Sequence, residues 1–127
     1  MKFSTFFTIV AILGALFTLA FLIVPAETAS HYGTNLDAAG VFIARLFGAA
    51  LGGLSVGAWI VRNQDPTSIA ARAAMWASVF FNTVSLFFTT INTMHGVLNS
   101  MGWSSVAINA LILIGLFSFL SKKAAVA

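Results

Sequence analysis

From Phe3 to Val24 the chain reads FSTFFTIVAILGALFTLAFLIV, without one charged side chain. A helix of about 22 residues is about 33 Å long, enough to cross the hydrocarbon core of a bilayer. The run exceeds the apolar core of about 7–15 residues found in a cleaved signal, so it reads as a retained transmembrane helix. Pro25 ends it, because proline lacks the N–H that the next helical turn needs.

Further apolar segments repeat the pattern. One runs from 37 to 61, and Asp37 is expected to cap its first free N–H groups. The next, 66–95, follows Asp65-Pro66, read as an N-cap with proline at the first helical position. The last, 103–120, stops at Lys122 and Lys123. Of 127 residues, 60% are hydrophobic and 7% charged. A water-soluble domain carries about a quarter charged residues, so this chain cannot cover a water-facing surface. The expected fold is all-α: one integral-membrane four-helix bundle spanning 1–127, with helices near 3–24, 37–61, 66–95 and 103–120. The connections are short, so sequential helices should be antiparallel neighbours.

Charge sets the expected orientation. Lys2, Arg62, Arg72, Lys122 and Lys123 fall on one side, whereas Glu27, His31, Asp37 and Asn99 fall on the other. The positive-inside rule therefore places both termini and the 62–67 loop in the cytoplasm. The net charge of +3 comes from only six Lys and Arg. They are scattered and form no basic patch with interleaved aromatics, which argues against nucleic acid. Cysteine is absent, so disulfides, thiolate metal sites and redox pairs are excluded. The two histidines and the few carboxylates show no metal-ligand spacing.

The interior is marked by polar and small residues. In the second long segment, Gly48 with Gly52 and Gly53 with Gly57 form small-xxx-small pairs, which let helix backbones approach closely in lipid. In the third, Ser78, Asn82, Ser85, Thr89, Asn92 and Gly96 recur every three or four residues, which places them on one face. Such groups avoid hydrocarbon, so this seam should turn inward, with Trp76, Phe80 and Phe87 toward lipid. Ser78, Asn82 and Ser85 read as helix-packing positions that hydrogen-bond between helices, and a seam lining a small-molecule cavity is the alternative.

Arg45 lies about 12 Å along its helix. An arginine at a helix centre costs about 2.5–3.5 kcal/mol on insertion scales, less near the interface, where it can snorkel. It shares a face with Gly48, Gly52, Ser55 and Trp59. Were that face to meet the seam, Arg45 would fall level with Thr89 and Asn92, with His95 above and Asn109 at similar depth. These five residues form a candidate outward-facing site for an anionic or carbonyl-bearing ligand. The bland alternative is a structural belt in which Arg45 pairs with Glu27 or Asp37. Trp59 and Trp103 read as interfacial anchors. His31 and His95 make haem or a chlorophyll-type pigment geometrically conceivable. No Ser-His-Asp, P-loop or paired-carboxylate pattern is present.

The stretches RLFGAALGGLSVGAWIVR (45–62) and HGVLNSMGW (95–103) resemble small bacterial inner-membrane proteins with four helices, loosely of the DoxX type and related families. They cover about a fifth of the chain. The resemblance implies a bacterial inner-membrane protein without an assigned activity and transfers no catalytic residue. Three functions then stand. The first is a non-enzymatic accessory or structural subunit, partnered by the bilayer and by other membrane subunits or further copies of itself. The second is a binder or carrier of a small amphipathic ligand such as a lipid, quinone or pigment. The third is a membrane enzyme, for which His95 would be the general base.

Overall fold

A computed structural model describes residues 1–121. Lys122 and Lys123 lie outside the described residues. Helices α1 (Phe3–Ile23), α2 (Pro25–His31), α3 (Ala38–Val61), α4 (Ile69–Met94) and α5 (Gly102–Leu120) follow one another, with no strand among the described residues. Helices α1, α3, α4 and α5 are each long and apolar enough to cross a membrane. The fold is an all-helical bundle of four such helices.

The bundle's outer surface is as apolar as its core. Ser55, Ser78 and Asn82 are buried, while Phe80, Leu111 and Ile114 point outward at 73%, 68% and 67% exposure. Trp76, Phe80 and Phe87 all face outward, as the seam periodicity requires. Only a hydrocarbon surround makes that distribution favourable, because water would penalise so continuous an apolar belt.

Two features depart from the sequence expectations. Pro25 ends α1 but also starts a new helix. It occupies the first turn of α2, where its missing N–H has no partner to lose. Segment 25–31, expected as loop, is therefore helical. Asp65 does not cap α4. Its carboxylate accepts from Thr67 N–H and Oγ1 at 2.7 and 2.6 Å, closing a local turn that holds its pKa below the ordinary value. The cap of α4 is Ser68, which accepts from Ala71 N–H at 3.2 Å. Ser68→Ala should cost about 1 kcal/mol, and Asp65→Ala should leave the helix start in place. Unfolding of both variants in mixed detergent checks the ranking. Asp37 caps α3, accepting from Gly40 N–H at 2.7 Å.

Glycines close α2 and α4. Gly33 and Gly96 take φ of 81° and 73°, the left-handed conformation that favours glycine just past a helix end. After Gly96, Val97 N–H returns to Asn92 O at 2.9 Å.

Packing is uneven. Helix α1 lies along α3 and α4 lies along α5, while α3–α4 and α1–α5 touch far less. The two pairs are joined firmly at the end that holds the N-terminus, the α3–α4 turn and the end of α5. There Phe3, Phe6 and Phe7 pack with Val61, Ala71, Met75, Leu116 and Phe119. Phe3 and Phe119 meet edge to face at 5.3 Å. Further along the bundle a cavity separates the pairs, and that separation positions the site.

Candidate functional site

Between the two helix pairs lies a cavity of about 370 Å³. That is within the range of about 300–1,000 Å³ typical of small-molecule sites. Its floor is the aromatic core, where Phe7, Met75 and Leu116 are fully buried. Its roof is α2 and the segments beside it, through Ala29, Tyr32, Thr34, Leu36 and Leu98.

The roof is tied down by specific hydrogen bonds. Asn99 N–H donates to Tyr32 O at 2.9 Å, and Asn99 Nδ2 donates to His31 O at 3.0 Å. Tyr32 Oη and Ser105 Oγ are 2.9 Å apart. Thus the 96–101 turn, through Asn99, holds α2 across the mouth.

The walls differ in chemistry. Helices α1 and α3 contribute mainly apolar groups, among them Leu13, Phe17, Phe21, Phe47, Leu51 and Leu54. Phe47 stands edge-on to Phe21 at 5.0 Å and stacks on Phe81 at 6.0 Å, bridging α1, α3 and α4. The one hydroxyl on this wall, Ser55 Oγ, is bonded to Leu51 O at 2.9 Å. The opposite wall is polar: Ser78, Asn82, Ser85 and Thr89 from α4, with Ser105 and Asn109 from α5. The α4 seam therefore lines a cavity instead of bonding across to a neighbouring helix. From 78 to 89 it extends about 16 Å.

Several of its oxygens are free. The Ser78, Ser85 and Thr89 hydroxyls have no hydrogen-bond partner among the described residues. Ser78 and Asn82 are only 6% and 5% exposed. Among the described residues no fully enclosed side-chain N or O lacks a partner, so the surface these free atoms retain opens on the cavity they line.

The five residues of the sequence-based site do not come together. Thr89 and Asn109 line the cavity. Arg45 is exposed, lines no part of it and pairs with neither Glu27 nor Asp37. The cause is the roll of α3. Gly48 and Gly52 face α1, where a Cβ at either would lie 3.0 Å from Phe21 Cβ or Thr18 Cγ2 respectively. The glycine face thus meets α1 instead of the α4 seam. Asn92 Nδ2 is bonded to Phe88 O at 2.8 Å, outside the cavity lining. His95 and His31 are exposed and line none of it. Trp59 is exposed and lies under the Arg62 guanidinium at 3.6 Å.

Sequence reasoning missed the aromatic group Phe17, Phe21, Phe47 and Phe81, and it missed Tyr32. The phenylalanines sit among many others (13 in the chain), so nothing in their spacing singles them out. Tyr32 is the only tyrosine, which was a usable signal: its polar tip needs a partner wherever its ring is buried. No protein-family model, curated protein or solved structure matches this chain.

Proposed function

We propose that this protein binds a small amphipathic molecule in the cavity between its helix pairs. The observation that carries the reading is the cavity's division into an apolar wall and a polar wall on which several oxygens have no partner among the described residues. Packing alone gives no reason to leave the nearly buried Ser78 hydroxyl and Asn82 amide oxygen without partners, since a buried polar group without a hydrogen bond is costly. An amphipathic guest satisfies both walls. The proposed setting is the bacterial inner membrane, with both termini cytoplasmic. The distribution of Lys and Arg supports the orientation, and the four helices long and apolar enough to cross a membrane support a bilayer setting. The roofed end of the cavity then belongs to the outer leaflet.

Native mass spectrometry of protein extracted from its own membrane in mild detergent tests the reading. The expected spectrum shows a discrete mass added to the bare chain and released on activation. A bare chain under the gentlest conditions that preserve the fold would overturn it.

A second reading, an accessory subunit or homo-oligomer, rests on a different observation. A Cβ added at Gly53 or Gly57 would meet nothing within 4 Å. With Ala49 also exposed, α3 offers the bilayer a face on which another helix could lie closely.

A further inference from the structure

The polar wall carries a chemical preference that narrows the class of guest, provided that the cavity is the binding site proposed above. Among the described residues it has no charged member: Arg45, Glu27, Asp37, His31 and His95 are all absent from the lining. An ionised guest would leave water without a counter-charge, which is costly in a medium of low dielectric. The cavity therefore favours a neutral group inside it.

The asparagines add direction. Asn82 Nδ2 donates to Ser78 O, and Asn109 Nδ2 donates to Ser105 O, each at 2.8 Å. A backbone carbonyl can only accept, so the nitrogen of each amide must be the atom on the helix. Each Oδ1 is then the amide atom left over, and neither has a partner among the described residues. Asn82 is 95% removed from solvent, at 5% exposure. The cavity thus holds amide oxygens fixed as acceptors on both polar helices. The hydroxyls of Ser78, Ser85 and Thr89 can rotate to donate or accept, whereas these oxygens cannot adapt. Opposite them on α3 stands Phe47, whose ring stacks on Phe81 of α4, an aromatic surface suited to another flat ring.

We infer that the cavity selects a neutral hydrogen-bond donor, specifically a hydroxyl group on an aromatic ring with an apolar tail. The guest hydroxyl donates to Asn82 Oδ1 or Asn109 Oδ1. Its ring and tail lie against the α1–α3 wall. No bond is made or broken, and the site discriminates through the acceptor that a guest without a proton to donate would leave unmet.

A pair of probes tests this. 4-Hexylphenol and its methyl ether, 4-hexylanisole, share a ring and tail, but only the phenol donates. Each is titrated calorimetrically into the full-length protein in detergent. Micelle partitioning is subtracted with the Ser85→Phe variant, whose cavity is filled. The phenol is expected to bind at least about tenfold more tightly than the ether. Asn82→Leu and Asn109→Leu should each weaken phenol binding and leave ether binding nearly unchanged, so that at least one brings the ratio below about threefold. Two variants on different helices guard against the misfolding of either.

Equal binding of phenol and ether overturns the donor preference and leaves the binding reading intact. So does a preference that survives both substitutions, because the acceptors then lie elsewhere. If neither probe binds while the native mass increment is present, the preference fails alone. If the native increment is also missing, the binding reading fails with it.

Discussion

Gly52→Leu is expected to pull α1 and α3 apart, whereas Gly53→Leu, one residue on, should leave the monomer's stability almost unchanged. A Cβ at Gly52 would sit 3.0 Å from Thr18 Cγ2 and 3.5 Å from Thr18 Oγ1. Thr18 cannot swing away freely, because its hydroxyl is bonded to Gly14 O at 2.8 Å. Leucine adds three more carbons in the same direction. Overpacking of this kind costs about 1–3 kcal/mol and more where backbones are in close approach. Gly53 has open space around it, so its substitution should stay within about 0.5 kcal/mol. Unfolding in mixed detergent measures both. Equal destabilisation would contradict the packing of α1 on α3. The same pair of variants separates packing from assembly: if α3 joins another chain through Gly53 and Gly57, Gly53→Leu should dissociate the complex while the monomer remains folded.

The second large effect is expected at Ser85. Its side chain lines the cavity midway along the α4 seam and has no hydrogen bond to lose. Ser85→Phe should place a ring in space that is otherwise open to a guest, beside Phe81, which already lines that wall. The native mass increment should fall away, with affinity reduced tenfold or more, the equivalent of about 1.4 kcal/mol. Stability without ligand should change little or rise, since the ring fills a void. A retained mass increment would show that whatever is bound lies elsewhere, for instance on the outer faces.

The transmembrane segments were legible because hydropathy is a local property. A helix in lipid must be about 20 apolar residues long whatever it packs against. The inward face of α4 was legible for a similar reason. Ser78, Asn82, Ser85 and Thr89 recur at helical spacing, and only one face of a helix can hold them all. Which partner each face meets was not legible. Gly52 and Gly53 are equivalent as motifs, yet one touches Thr18 and the other open space. Their difference depends on the roll of α3 against α1, which hydropathy and motif spacing do not specify. The same roll takes Arg45 out of the site. Nor could periodicity separate a seam that bonds across helices from one that lines a cavity. That distinction depends on how far the α1–α3 and α4–α5 pairs diverge beyond the Phe3–Phe119 contact. At the caps, Ser68 and Asp65 competed for the start of α4. Thr67 decided the outcome by occupying the Asp65 carboxylate.

The most direct measurement is diffraction from crystals of the protein extracted in mild detergent and never exposed to added ligand. The expected result is continuous density between the helix pairs, too long for a water molecule, in contact with Asn82 or Asn109 on one side and Phe47 on the other. Isolated water peaks along the α4 seam, or Phe47 and Phe81 folded inward to close the space, would contradict a binding cavity at the centre of this bundle.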